Sequence, residues 1–326
     1  MDQTVPDTPA PAVVVLGSVH MDLIATAARL PGRGESVAGG VFAMTPGGKG
    51  GNQACQFALA GARVHMLARL GDDVFGRQLL AGLQAKAVDT TYVAIDPDFS
   101  TGASTVLAAE GDYSSIIAPG AAARLSVDDV DRARPAIQRA SALVVQLELP
   151  VAVTNYAAGV AAGMGKQVIF NASPAPEMWA AVPDSLWRAT SVLIINSVEA
   201  GSLLGRSCPP AQAAVALAEL AARFGIETIV ITFGAAGSAA WRAGAVVQQA
   251  AFAAVVADTV GAGDAFLGVF SLALVEGLAV AAALRRAAAA GAMAVAQRGG
   301  YDALPLRKDI DAFLQHKDGA AQRTAL

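Results

Sequence analysis

The stretch Asp258–Phe266, "DTVGAGDAF", brings together the residue types that phosphate chemistry requires. Gly261, Ala262 and Gly263 are small enough for successive backbone N–H groups to converge on an anion. The apolar run that follows, through Leu267, Phe270, Leu274 and Leu278, reads as a helix whose positive end points at the same place. Asp264 then sets a carboxylate beside an anion cradle, where negative charge is unfavourable unless it serves to move a proton. Such a pair suits phosphoryl transfer from a nucleotide to a hydroxyl: the base takes the proton while the amides stabilise the equatorial oxygens. Read alone, the same residues also fit an ordinary helix start, since Asp caps helices and Gly-rich turns precede many of them.

Two further stretches offer ligands. In "GSVHMD", Gly17–Asp22, a carboxylate follows the first apolar run, and Asp22 can accept two hydroxyls of one sugar through charge-assisted bonds. A solvated loop Asp or a helix cap is the plainer alternative. In "TPGGKGGNQACQFALAGA", Thr45–Ala62, a Gly-rich loop runs into a helix, with Lys49 and Asn52 as polar contacts and Gly48 among the residues that permit close backbone approach. The spacing is neither that of a Walker A loop nor that of a dinucleotide fingerprint.

These residues need a scaffold, and the rest of the chain describes one. Short β-branched runs at Ala12–Gly17, Val64–Leu70, Leu143–Leu147, Gln167–Asn171, Val192–Asn196 and Thr228–Thr232 read as strands buried on both faces. They alternate with helices at Gly51–Ala60, Asp73–Ala85, Val127–Ala140, Val151–Ala162, Ala211–Phe224, Asp264–Glu276 and Ala279–Gln297. The pattern predicts an α/β fold, a doubly wound and mostly parallel sheet flanked by helices. Two segments break the rhythm: 24–44, rich in Gly and Pro, and 101–117, which alternates around an "EGD" turn. They predict a small discontinuous β-sheet lid over the carboxyl ends of the parallel strands, where such sheets bind ligands. The core then comprises 12–23, 45–100 and 118–315, with flexible tails at 1–11 and 316–326.

Composition excludes several classes. Hydrophobic residues make up 54% of the 326 and mean hydropathy is +0.48, but the excess is mostly Ala and Val. The longest stretch without Asp, Glu, Lys or Arg, Leu149–Gly165, is interrupted by Pro150, Asn155 and several glycines, so no membrane span is expected. A net charge of −4 with no basic cluster argues against nucleic acid as a partner. Three histidines argue against a His-based metal centre, and two distant cysteines, Cys55 and Cys208, fit a reducing, cytoplasmic setting.

Taken together, "VVVLGSVHMD", "PGGKGGNQA", "LARLGDDVFG", "STGAS", "VVQLELP", "FNASPAP", "INSVEA", "ITFGAAG", "DTVGAGDAF" and "AVAQRGG" resemble the PfkB carbohydrate kinases over nearly the whole chain. The resemblance implies that Asp264 is the base for a sugar's primary hydroxyl, with Gly261, Ala262 and Gly263 as the anion hole. It implies sugar ligands at Asp22, Gly48, Lys49, Asn52 and Glu148, the last in "QLELP". Asn196 and Glu199 match an N-x-x-E motif that positions phosphate and the water shell of Mg²⁺. Thr232, Gly234 and Gly237 resemble the loop that binds ATP. Asp258, Val260, Ala294, Gln297 and Gly299 match a monovalent-cation loop, which implies K⁺ as an activator.

Some positions depart from the family's usual residues. His20 stands in the first sugar loop where Asn is common, a larger ring that alters hydroxyl recognition or pocket volume. Gln297 replaces a common Arg, Ala303 a common Ser, and Ala288 a larger polar residue near the expected purine site. The implied activity is ATP- and Mg²⁺-dependent phosphorylation of a pentose, D-ribose to ribose 5-phosphate. A nucleoside kinase of the same family, or a non-catalytic sugar- or nucleotide-binding protein on this fold, are the alternatives. A homodimer through exposed lid strands is also expected.

Overall fold

The computed structural model describes residues 10–109 and 112–324. The chain opens with β1 (Ala12–Leu16), β2 (His20–Thr26), β3 (Val41–Gly47), α1 (Lys49–Leu59), β4 (Arg63–Gly71), α2 (Val74–Ala85) and β5 (Val88–Asp96). It continues with β6 (Gly102–Ala109), β7 (Asp112–Ala118), α3 (Val127–Arg139), β8 (Ala142–Val145), α4 (Val151–Gly163), β9 (Gln167–Asn171), α5 (Asp184–Ala189), β10 (Val192–Asn196) and α6 (Ser197–Leu204). It ends with α7 (Ala213–Phe224), β11 (Thr228–Thr232), β12 (Ser238–Arg242), β13 (Ala245–Gln249), α8 (Ala262–Val275), α9 (Val280–Ala294) and α10 (Arg307–Thr324).

Among the described residues the strands form two sheets. A nine-stranded sheet runs in the order β13-β12-β11-β10-β9-β8-β1-β4-β5, and a four-stranded sheet in the order β3-β2-β6-β7. In the large sheet β1 pairs in parallel with β4 and β8, and β12 and β13 are antiparallel additions at one edge. Alternating side chains of the buried strands supply two separate apolar layers. Val13 and Val15 pack with Phe57, Phe270 and Leu284, whereas Val14 and Leu16 pack with Ile137, Ala157 and Leu217. Helices on both faces therefore cover a doubly wound α/β sheet, with the small sheet beside it.

The boundaries differ from the sequence reading at informative places. Strand β2 begins at His20, so Asp22 belongs to the small sheet rather than to the core segment 12–23. The partly polar "HMDLIAT" lacks the signature of a fully buried strand because Met21 packs into the core while His20, Asp22 and Ile24 on the opposite face border a cavity. Strand β5 and the β12–β13 hairpin were not foreseen, and β5 and β13 are the two edges of the sheet, where one-sided exposure weakens the apolar signal. Helix α8 starts at Ala262, which makes Asp264 a first-turn residue instead of the last residue of the turn. Helix α1 likewise starts at Lys49, two residues early, with Gly48 as its N-cap. The expected tail 316–326 continues α10 as far as Thr324, while Ala10 and Pro11 are tied to Arg63 through its N–H and Nε groups. Residues 1–9 and the Glu110–Gly111 part of the "EGD" turn lie outside the described residues.

Glycines set how closely the elements approach. A Cβ on Gly50 would lie 2.5 Å from the Gly17 backbone, so α1 crosses the end of β1 in direct backbone contact. A Cβ on Gly268 would lie 2.7 Å from the Gln56 side chain, which lets α1 and α8 pack close together. Among the described residues, no helix is long and apolar enough to cross a membrane.

Candidate active site

Helices α1 and α8 meet at a buried carboxylate. Along α1, Lys49, Asn52, Gln53 and Gln56 fall at positions i, i+3, i+4 and i+7, which places them on one face. This polar stripe lies in a helix whose other residues are largely core, and Asn52, Gln53 and Gln56 are themselves buried. Asn52 Nδ2 donates to Asp264 Oδ2 at 2.9 Å, and Gln53 Nε2 donates to Asp264 Oδ1 at 2.9 Å. Burial pushes the Asp264 carboxyl above the ordinary carboxylate range, against the opposing pull of the Lys49 charge and the two amides. Burial pulls the Lys49 ammonium down, but Asp264, Glu148 and Glu199 outweigh it and hold its pKa above the usual value. A base with a raised pKa beside a fixed cation is an arrangement that can take a proton from a hydroxyl.

The turn before α8 presents donors to the same place. Gly261 is the N-cap in the left-handed region, with φ 77°, a conformation that glycine adopts without strain. Asp258 Oδ1 accepts from the Val260 N–H at 3.0 Å and shapes the approach to it. Amides in the first turn of a helix lack partners within the helix, and here Gly261, Gly263 and Asp264 border the cavity.

At the other end of the cavity a second set of polar groups is held by the small sheet and by β1 and β8. His20 Nε2 lies 3.0 Å from Asp22 Oδ1, and the Ser104 hydroxyl of the neighbouring strand β6 donates to the same oxygen. Burial pulls the His20 imidazole down, but the hydrogen bond and charge of Asp22, with Glu148 beyond, leave its pKa raised. Gly47 leaves room for Asp22, since a Cβ there would sit 2.2 Å from Oδ2. Glu148 lies three residues past β8 and accepts from the Lys49 N–H at 2.9 Å and from the Ser18 hydroxyl. The Asn52 Oδ1 acceptor is buried without a partner.

Asn196 and Glu199 form a reciprocal cap at the start of α6. Asn196 Oδ1 accepts from the N–H groups of Val198 and Glu199 at 2.9 Å, and Glu199 Oε2 accepts from the Asn196 N–H at 2.8 Å. The helix-capping alternative thus holds for Asn196 while both side chains also border the cavity. Among the described residues, no three His, Cys, Asp or Glu side chains gather as a metal cage. Single carboxylates spaced round a cavity fit a divalent ion held mainly by water and phosphate oxygens.

One cavity of about 610 Å³ gathers these groups. His20, Asp22, Gly48, Lys49, Asn52, Glu148, Asn196, Glu199, Thr232, Val260, Gly261, Gly263 and Asp264 all line it. Ala262, Gly234, Gly237, Asp258, Ala294, Gln297 and Gly299 do not. The β11–β12 turn is closed by the Phe233 N–H on the Gly237 carbonyl at 2.8 Å. The Ala257 and Asp258 N–H groups both reach the Val295 carbonyl, at 2.7 and 3.2 Å, which brings Asp258 against the end of α9 near Ala294. Gln297 is exposed, and Gly299 lies near Thr45 on β3.

The sequence reading missed Ser18, Ser104, Gln53 and Asn171. Ser104 and Asn171 border the cavity, and Gln53 touches Asp264 from behind. The signal for Gln53 was present: it stands four residues from Lys49 and beside Asn52 on the one polar stripe of a helix whose other residues are small or apolar.

The pfkB family carbohydrate kinase pattern matches residues 10–307. The ribokinase of Haemophilus influenzae is 32% identical over 305 residues, covering 93% of this chain and 98% of that one. A deoxyribokinase of Salmonella typhi is 29% identical over 303 residues, covering 93% and 98%. The structure of Arabidopsis thaliana ribokinase complexed with ribose and ATP superposes with a TM-score of 0.85 at 29% identity, covering 94% of this chain and 99% of that one. A doubly wound sheet, a buried carboxylate at a helix N-terminus and a match over nearly the whole chain lead to one conclusion: this protein belongs to the pfkB family of carbohydrate kinases, phosphotransferases with an alcohol group as acceptor.

Proposed function

We propose that this chain transfers the γ-phosphoryl group of ATP to the primary hydroxyl of a pentose, converting D-ribose to ribose 5-phosphate. The observation that carries the reading is the Asp264 carboxylate, held by two amides of α1 and facing one cavity with Asp22, Lys49 and Glu148. Asp264 takes the hydroxyl proton as the oxygen attacks phosphorus, and the amides at Gly261 and Gly263 stabilise the equatorial oxygens, whereas the Ala262 N–H between them is turned to the Thr259 carbonyl. Asp22, Gly48, Lys49, Asn52 and Glu148 hold the sugar hydroxyls, with His20 shaping the far end.

Asn196, Glu199 and Thr232 lie on the phosphate side, and the Gly234–Gly237 turn lies towards the nucleotide. Asn196 and Glu199 would hold the water shell of Mg²⁺, which would supply positive charge to offset the phosphate oxygens. Oxygen donors at Asp258, Val260, Ala294, Gln297 and Gly299 suit K⁺ as an activator. The small sheet acts as a lid that excludes water from the transfer. The ribose and ATP in the related Arabidopsis structure support the sugar and the nucleotide.

The deoxyribokinase relative makes deoxyribose the second sugar to test. Steady-state rates with ribose, deoxyribose, fructose and nucleosides, with and without K⁺ and Mg²⁺, decide between them. Turnover with ribose at the highest kcat/KM is expected, and preference for a nucleoside would overturn the reading. Exposed apolar residues at the small sheet, Phe42, Met44 and Ile116, together with its open edges β3 and β7, support a homodimer through this sheet. Two buried cysteines without a disulfide support a cytoplasmic setting.

A further inference from the structure

Behind Asp264 lies a run of buried amides that the transfer chemistry does not use directly. Gln53 Nε2 donates to Asp264 Oδ1 at 2.9 Å and to Asn171 Oδ1 at 3.1 Å, while Gln146 Nε2 donates to Gln53 Oε1 at 2.7 Å. Asn171 Nδ2 in turn donates to the Ile194 carbonyl at 2.9 Å. Gln53 is fully buried and Gln146 nearly so.

The direction of every amide in this run follows from two groups that can only accept. The Ile194 carbonyl requires the Asn171 amine, which turns Asn171 Oδ1 towards Gln53. Asn171 Oδ1 and the Asp264 carboxylate then need one hydrogen each, and the Gln53 amine has two. Its carbonyl is thereby left to Gln146, whose amine meets it. Gln146 is itself wedged beside Gly17, where a Cβ would lie 2.3 Å from Oε1. The strands β8, β9 and β10 thus fix which end of Gln53 faces Asp264.

We propose that Gln53 is a positioning residue for the phosphoryl transfer, a locked donor that keeps the Asp264 carboxylate ionised and holds Oδ1 in place so that its other lone pairs serve the acceptor hydroxyl. This rests on the reading of Asp264 as the base. The charged groups that face Asp264 are Lys49 of α1 and Glu148 beyond β8, with Glu199 of α6 acting on Lys49. Lys49 favours the ionised carboxylate, and burial and Glu148 disfavour it. Gln53 adds to the Lys49 side without adding charge.

The sign follows directly. A donor to the ionised form lowers the pKa, so its loss raises it and turnover fails at a higher pH than in the wild type. Gln53→Leu is expected to lower kcat at pH 7 by about tenfold or more, to leave KM for ATP within about twofold, and to move the acid limb of kcat upward by about one unit. Gln53→Glu, which keeps the shape but places a like charge beside Asp264, moves the limb at least as far. If Gln53→Leu fails to fold, Gln146→Leu keeps Gln53 but frees its carbonyl, and a smaller shift in the same direction is expected.

The same displacement should appear when the Asp264 carboxyl carbon is titrated by ¹³C NMR, which needs no turnover. An acid limb and a carboxyl titration unmoved by about 0.3 unit or more in all of the folded variants would overturn the proposal. Near-normal turnover of Asp264→Asn would instead overturn the base assignment, and the carboxyl titration would still read the effect of Gln53.

Discussion

Asn52 and Asp264, 212 residues apart in the chain, meet through a 2.9 Å hydrogen bond from the Asn52 amide to Oδ2. The contact exists because α1 and α8 both begin at the carboxyl end of the large sheet and cross with Gly268 at their interface. The first helix brings a cation and two amides, and the second brings the carboxylate they serve.

Replacing that carboxylate isolates its chemistry. Asp264→Asn keeps the volume and loses the basic oxygen, so kcat is expected to fall by roughly 10²–10⁴-fold, the range for a lost general base. Calorimetric affinities for ATP and sugar should stay within about threefold, since binding and proton transfer use different atoms. Retention of near-normal turnover would remove Asp264 from the mechanism.

The pH profile carries a second expectation. Burial raises the Asp264 pKa, so its protonated form persists to a higher pH than for an exposed carboxylate, and with Asp264 as the proposed base kcat is expected to rise as pH climbs through that raised value. Lys49 is the largest influence opposing the rise. Lys49→Met should therefore move the acid limb further upward, and a downward movement would contradict the electrostatic account.

His20 links stability to pH in the opposite sense. Its pKa is raised in the folded state above 6.5, so its pairing with Asp22 stabilises the fold fully below 6.5 and is lost as pH rises through the folded value. The difference in Tm between wild type and His20→Gln should be largest in mildly acidic buffer and shrink towards pH 8. In the same series, His20→Asn should change the ribose-to-deoxyribose ratio of kcat/KM more than KM for ATP. A pH-independent Tm difference would show that His20 is held neutral.

Close backbone contact at Gly17 predicts a packing penalty. A Cβ at this position would meet Gln146 Oε1 at 2.3 Å, the end of a side chain, and the Gly50 Cα at 2.5 Å, which is backbone and cannot yield without moving α1. Gly17→Ala should destabilise the protein by about 1–3 kcal/mol in urea unfolding, as overpacking does. An unchanged midpoint would mean that α1 shifts freely.

The small sheet supplies an assembly test. Phe42 is 63% exposed and Ile116 76% exposed, on the sheet whose free edges are β3 and β7. If a second copy covers them, Phe42→Glu together with Ile116→Lys should convert a dimer into a monomer in light scattering, with kcat/KM for the sugar reduced. A wild-type monomer at micromolar concentration would reject this partner.

The sequence by itself determined the chemistry and the class of fold. Glycine spacing around Asp264 marks a tight turn into a helix because only small residues let amides converge, and continuous apolar runs such as "AVVVL" mark strands covered on both faces. The family pattern tied Asp22, Lys49, Asn52 and Asp264 to one site. Tertiary structure decided what depends on pairing between distant segments. The register Asp22↔Ser104 moved Asp22 onto the small sheet, and the adjacency of β8 and β9 set Gln146 and Asn171 against Gln53 of α1, behind the carboxylate. Local pattern encodes which side of an element is buried; which polar groups meet inside that buried space follows only from how the elements cross.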